Sequence, residues 1–140
     1  MAGKLKILLD LDGTINSAPN FFSQFSMQMA SIADIHVVTY RTEGQRQETI
    51  DELQKLGIFY HHLALTKEKL AYVLDKGINV VFEDTDEFFK MMPESVTVFK
   101  IREEDNFDFR SHRWIYDDHT GIHIEDVHYR SAKDKRKSKD

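Results

Sequence analysis

The sequence predicts an α/β fold, a three-layer sandwich in which helices cover both faces of a central parallel sheet of about five strands. Three observations carry that expectation. Short apolar runs alternate with segments of helical period along residues 1–101, the pattern of repeated strand–helix–strand units. The first run, KILLDL at 6–11, is nearly continuous in apolar residues, as a strand covered on both faces is. The acids and hydroxyls that interrupt the apolar pattern fall at the carboxyl ends of the strands, the edge where such sheets bind ligands.

The elements follow in order. Lys6–Leu11 is the first strand. Ser17 caps a helix with Pro19 in its first turn, and Phe21, Phe22, Phe25 and Met29 follow at helical spacing. Asp34–Tyr40 is the second strand. Thr42–Leu56 is a helix with Ile50, Leu53 and Leu56 on one side and Gly57 at its end. Ile58–Leu65 is a weaker third strand. Thr66 caps the next helix, which carries Leu70, Val73 and Leu74 and closes at Gly77. Asn79–Phe82 is the fourth strand, Asp86–Met92 a short helix and Val96–Ile101 the fifth strand.

Residues 102–130 depart from this rhythm. FDF, RWIYDDHTGIHI and VHYR contain Asp-His-Thr-Gly at 118–121, which resembles a hairpin turn with Gly121 at the left-handed position. The expectation is a hairpin-like extension covering the sheet edge. The alternative is a lid or subunit contact built from Phe107, Phe109, Arg113, Trp114 and Tyr116. Residues 131–140 read as a disordered basic tail.

Composition narrows the function. Of 140 residues, 41% are hydrophobic and 31% charged, as in ordinary globular chains. No apolar run approaches the roughly 20 residues that cross a membrane, and the N-terminal stretch is short for a signal peptide, so a cytoplasmic site is expected. The absence of cysteine excludes disulfides, thiolate metal sites and a cysteine nucleophile. Net charge is −5, and the tail's five basic and two acidic residues leave the other 130 residues at about −8. An acidic body gives no broad electrostatic grip on nucleic acid.

At the strand ends stand Asp10 and Asp12, Thr39, and Glu83 with Asp84. Converging carboxylates repel one another, and a hard divalent cation with oxygen ligands relieves the repulsion. Mg²⁺ does so with one or two carboxylates, leaving room for waters and a phosphate. Thr39 supplies a hydroxyl. Lys69 lies in the first turn of its helix, where side chains lean back toward the rim. An attacking aspartate, a proton-carrying carboxyl, a hydroxyl, a lysine and a magnesium ion suffice for phosphoryl transfer.

These residues carry a resemblance. DLDGT at 10–14, VVTYR at 37–41 and KLAYVLDKGINVVFED at 69–84 resemble, in order, the motifs of the haloacid dehalogenase (HAD) superfamily of phosphatases. The match covers residues 5 to about 101. The resemblance implies a Rossmann-like catalytic core and Mg²⁺-dependent hydrolysis of phosphomonoesters. By it, Asp10 attacks phosphorus and carries an aspartyl-phosphate, while Asp12 protonates the leaving oxygen and then activates water. Thr39 and Lys69 bind the phosphoryl oxygens. Mg²⁺ sits on Asp10, the Asp12 main-chain carbonyl and Asp84. Glu83 or Asp86 seconds Asp84. Lys67 competes with Lys69, which is preferred because it stands fifteen residues before Asp84, room for one helix and one strand.

Two rival readings use the same fold. A receiver-type phosphoacceptor domain would use Thr85 and Lys100, but its third strand ends in an aspartate and FYHHLAL has none. A catalytically silent HAD-fold scaffold would keep the architecture for binding alone. Only 26 residues separate Asp12 from Thr39 and 29 separate Thr39 from Lys69, spans filled by core elements, so no cap domain is expected. An open site suits substrates that bring their own cover. TYR at 39–41 and the acid pair after strand four resemble the branch of deoxynucleotidases and polynucleotide phosphatases, which implies nucleotides or nucleic-acid ends, with Arg41 on a phosphate or base.

Overall fold

The computed structural model describes residues 3–117, 122 and 123. Five strands form one parallel sheet in the order β3-β2-β1-β4-β5: β1 Leu5–Asp10, β2 Ala33–Thr39, β3 His62–Leu65, β4 Val80–Glu83 and β5 Thr97–Lys100. Helices α1 (Pro19–Met29), α2 (Arg46–Lys55), α3 (Lys69–Lys76) and α4 (Asp86–Met91) connect them. The expected α/β architecture is the one found.

The period of two along β1 sorts the core. Ile7 and Leu9 join Phe22 of α1, Leu53 of α2, Ile35, Val37 and Phe82 on one face, whereas Leu8 joins Val38, Val81 and Val73 of α3 on the other. The same alternation puts Asp10 on the α3 face. Because Leu9 pairs with Phe82, one step further sets Glu83 beside Asp10. The chain runs from β1 outward to β2 and β3, then crosses back to β4 on the other side of β1. That reversal opens a crevice at the carboxyl ends of β1 and β4.

Most strand bounds fall within one residue of expectation, and four other boundaries differ for a local reason. Ser17 does not cap α1. Its hydroxyl donates to the Thr14 carbonyl at 2.8 Å, and the helix starts at Pro19 after Ala18. Thr42 and Gln45 form a capping box for a 3₁₀ turn, Glu43–Gln45, that precedes α2. The third strand starts at His62, not Ile58, because the Phe59 N–H donates to Ser26 Oγ (3.0 Å) instead of entering the ladder. Thr66 Oγ1 accepts the Glu68 N–H at 3.0 Å, a turn that delays α3 to Lys69.

Beyond β5, a short antiparallel pair, β6 (Phe107–Asp108) with β7 (Arg113–Trp114), is anchored on the edge strand. The Lys100 ammonium lies 4.0 Å over the Trp114 ring, and the Arg102 guanidinium packs on Phe107 and Phe109 at 4.8 and 5.1 Å. Strands β8 (Tyr116–Asp117) and β9 (Ile122–His123) pair on either side of the expected turn. The turn at 118–121 and the tail lie outside the described residues. Among the described residues no helix is long and apolar enough to cross a membrane.

Away from the crevice, β2 buries a histidine. His36 stacks on His62 with ring centroids 4.3 Å apart, its Nδ1 lies 2.7 Å from the Tyr72 hydroxyl, and its Nε2 is buried without a partner among the described residues. Burial, then the neighbouring His62, push the imidazole down to about 4. A base held below its unfolded value disfavours the native state wherever only the unfolded chain binds the proton. Stability should therefore fall as pH drops from about 6.5 toward 4. Urea unfolding at pH 7.5 and pH 5 checks this: His36→Gln should reduce the loss between them, and an unchanged loss would remove His36 as its source.

Candidate active site

The crevice is built from four chain segments. The centre is Asp10, only 5% exposed. Lys69 Nζ donates to its Oδ1 at 2.5 Å and Thr14 Oγ1 to its Oδ2 at 3.1 Å, so both oxygens are held. Lys69 reaches the rim from the first turn of α3 and also donates to Glu83 Oε2 at 3.0 Å. Its ammonium sits between the rings of Tyr40 and Phe88, 5.1 and 5.0 Å from their centroids. Burial alone would lower the Lys69 pKa, but Asp10 and Glu83 outweigh it and hold the ammonium above its usual range. Lys67 is exposed, so Lys69 is the lysine the fold brings to the carboxylates.

The acids divide by partner. Glu83 has donors on both oxygens: Lys69 on Oε2, and the Asp84 and Thr85 N–H groups on Oε1 at 3.2 and 3.4 Å. Burial first, and then Asp10, raise its carboxyl, with Lys69 opposing. Asp84 is 3% exposed, and its Oδ1 has no hydrogen-bond partner among the described residues. Burial raises the Asp84 carboxyl strongly, followed by the charge of Asp10, contact with the Asp10 carboxyl, the charge of Glu83 and contact with the Glu103 carboxyl. Asp86 does not second Asp84. It faces Lys100, whose ammonium lies 2.5 Å from its Oδ1. That pairing also puts Lys100, the lysine a receiver-type site would use, outside the cluster.

Oxygen atoms of Asp10, Glu83 and Asp84 lie within 4.8 Å of one another. Lys69 offsets one of three charges, and Asp84 Oδ1 is left without a donor among the described residues. An all-oxygen donor set with one orphaned buried carboxylate atom fits a hard divalent cation. Gly13 makes the close approach possible. Its φ is +86°, and a Cβ there would fall 2.1 Å from Asp84 Oδ2.

Asp12 and Arg41 form a second unit at the mouth. The Asp12 carboxylate is half exposed and accepts Arg41 Nε (3.2 Å) and Nη2 (2.9 Å) in a fork, with Asn16 Nδ2 at 3.0 Å. Arg41 Nη1 meets Glu52 at 2.6 Å and Thr49 Oγ1 at 3.2 Å. The fork to Asp12, opposed by burial and aided by Glu52, raises the guanidinium pKa further. The Asp12 side chain thus lies outside the three-carboxylate cluster, and Arg41 engages the carboxylates of Asp12 and Glu52. Thr39 is buried at the end of β2, where its hydroxyl accepts the Arg41 N–H at 3.3 Å.

Three contacts of the site are visible only in the structure. Thr14 orients Asp10, a role visible only in the hydrogen bond. Arg41 pairs with Asp12 across 29 residues. The segment after β5 reaches the site through Asn106, whose Nδ2 donates to the Asp84 carbonyl at 2.8 Å, and no periodicity flags it.

The sequence matches no protein-family model and no curated protein. A solved structure of a universal stress protein in complex with cAMP aligns at TM-score 0.44 and 10% identity, covering 72% of this chain and 98% of that one. A likeness at that level carries no argument about site or ligand.

Proposed function

We propose that this chain is a Mg²⁺-dependent phosphomonoester hydrolase of HAD type that works through an aspartyl-phosphate on Asp10. The observation that supports it most is Asp10 at the end of β1, held by Lys69 and Thr14 with the unpartnered Asp84 carboxylate oxygen beside it. Asp10 and Asp84, with the Asp12 carbonyl, would hold the cation, which supplies Lewis-acid charge to the phosphoryl oxygens. Glu83 anchors Lys69 rather than serving as an open ligand.

In the first half-reaction an Asp10 oxygen attacks phosphorus and the bond to the leaving oxygen breaks. Asp12 gives that oxygen its proton. In the second half, water attacks the same phosphorus, its proton returns to Asp12, and the bond to Asp10 breaks to release inorganic phosphate. Lys69 and the Thr39 hydroxyl balance and position the phosphoryl oxygens. Arg41 donates to both Asp12 oxygens, so a carboxyl O–H on Asp12 requires one arm of that fork to open. The freed arm is then available to the substrate's phosphate or base. The half-exposed Asp12 and the core-filled spans between motifs favour nucleotides or nucleic-acid ends as substrates; a cytoplasmic setting belongs to the same proposal.

Hydrolysis of an aryl phosphate with and without Mg²⁺, by the native chain and by Asp10→Asn, tests this. Metal-dependent turnover should fall on the order of 10⁴-fold or more in the variant. If small esters are ignored, beryllium fluoride should still be trapped on Asp10. A chain that neither turns over phosphate esters nor traps the fluoride is a binding scaffold, and the phosphatase reading falls.

A further inference from the structure

We infer that Glu52 of α2, together with Thr49, is a positioning residue of the reaction: it seats Arg41 so that the guanidinium fork holds the Asp12 carboxylate in place at the mouth of the site. The inference rests on the phosphatase reading above and deepens it, because it assigns what aims the half-exposed acid that moves the proton.

The arrangement is a relay across three segments. Asp12 lies in the turn after β1 with its side chain 51% exposed, and a carboxylate so open to water would by itself sample several rotamers. Arg41, two residues past the end of β2, is 15% exposed and bridges that carboxylate to α2. Its Nε and Nη2 meet Asp12 Oδ2 and Oδ1 at 3.2 and 2.9 Å. Its Nη1 meets Glu52 Oε2 at 2.6 Å and Thr49 Oγ1 at 3.2 Å. Thr49 and Glu52 stand three positions apart on α2 and so share a face. Thr49 is fully buried and donates its own proton to the Gln45 carbonyl at 2.8 Å, which leaves its oxygen to accept from Arg41.

A guanidinium is planar and rigid, so fixing Nη1 on α2 also fixes the direction of the edge formed by Nε and Nη2. Asn16 Nδ2, 3.0 Å from Asp12 Oδ1, belongs to the chain just after Asp12 itself. Arg41 is therefore what ties the Asp12 carboxylate to β2 and α2. Glu52 is a third exposed, where an ion pair adds little to stability, so its part is directional. With Nη1 retained on α2, one arm of the fork can leave Asp12 while the guanidinium stays at the mouth. Without the Glu52 acceptor Arg41 is free to turn, and Asp12 loses its fixed approach to the leaving oxygen. That loss matters only where the leaving oxygen needs a proton.

The choice of leaving group supplies the test. kcat/KM is measured with Mg²⁺ for benzyl phosphate, whose alkoxide must be protonated, and for 4-nitrophenyl phosphate, whose phenolate departs without a proton. For both esters it reports formation of the aspartyl-phosphate and not its later hydrolysis. The variants are Glu52→Ala, Glu52→Gln, which keeps an acceptor oxygen for Nη1, and Glu48→Ala, an exposed acid of the same helix, as control. Glu52→Ala should lose roughly 10–100-fold on benzyl phosphate and little on 4-nitrophenyl phosphate. Glu52→Gln should keep most of the native rate on both, and Glu48→Ala should match the native chain. In parallel, the Arg41 Nε–H resonance, assigned by its absence in Arg41→Lys, should move in Glu52→Ala toward its position in Asp12→Ala. An unmoved resonance, or equal losses on the two esters, overturns the role of Glu52 and leaves the phosphatase reading standing. If the native chain hydrolyses neither ester, the resonance alone decides whether Glu52 seats Arg41 on Asp12, and fluoride trapping on Asp10 decides the phosphatase reading.

Discussion

Replacing Lys69 with methionine should lower stability by roughly 3–5 kcal/mol, the range for removing one partner of a buried ion pair, and, on the phosphatase proposal, should reduce turnover at least about a hundredfold. The side chain is 3% exposed and bonds Asp10 and Glu83 at once. Methionine fits the slot between Tyr40 and Phe88 by volume, so packing is largely kept and charge is what is lost. Two buried carboxylates are then left facing each other beside Asp84. Adding Glu83→Gln removes one of them and should recover a good part of the stability but none of the activity, since Asp10 still lacks its ammonium. Equilibrium unfolding of the single and double variants gives the coupling directly. A Lys69→Met protein as stable as the native chain would mean that the acids are neutralised in some other way.

Gly13→Ala is the second large effect. At φ +86° a side chain costs about 1–2 kcal/mol, and here the added methyl would also lie 2.1 Å from a carboxylate oxygen of Asp84. Either the turn after β1 or the acid after β4 must give way by about an ångström, and displacement on that scale in a reacting site is worth about 10² in rate. The expected result is a folded protein, modestly less stable, whose melting temperature no longer responds to Mg²⁺ and whose turnover is down on the order of a hundredfold. Unimpaired turnover and Mg²⁺ response together would show that Asp84 tolerates the shift, and so that its position is not what the site depends on.

Much of this site is legible in the sequence because strand ends and parity determine it. Asp10 closes a strand whose alternate residues face α3, and Lys69 opens α3, so the two are directed at each other by period alone. Glu83 and Asp84 follow from the register of β4 on β1. What escapes depends on side chains crossing between segments. Asp86 looks like a partner for Asp84 by proximity in sequence, yet helical geometry turns it to Lys100. Arg41 reads as a phosphate or base contact beside Thr39 and is engaged by Asp12 and Glu52. Ser17 and Thr66 have the chemistry of caps but spend their hydroxyls on nearer main-chain groups, the competition that makes boundaries harder to read than elements. Asn106 sits in an irregular segment that no pattern predicts, yet it ties that segment to the main-chain carbonyls of Asp84 and Ile101.

The strand order also sets when the candidate site is assembled as the chain folds. β1 meets β2 through a local crossover, but it meets β4 only after the chain has closed a long loop: the Lys6 N–H bonds Asn79 Oδ1 across 73 positions. Non-local pairings of this kind form late and limit folding rate. An intermediate holding β1, β2 and β3 can bury much of the first core while Asp10 still lacks Glu83, Asp84 and the segment that carries Asn106. On the phosphatase proposal, recovery of activity in a refolding experiment is then a clock for the docking of β4 and β5, running behind any signal that reports collapse.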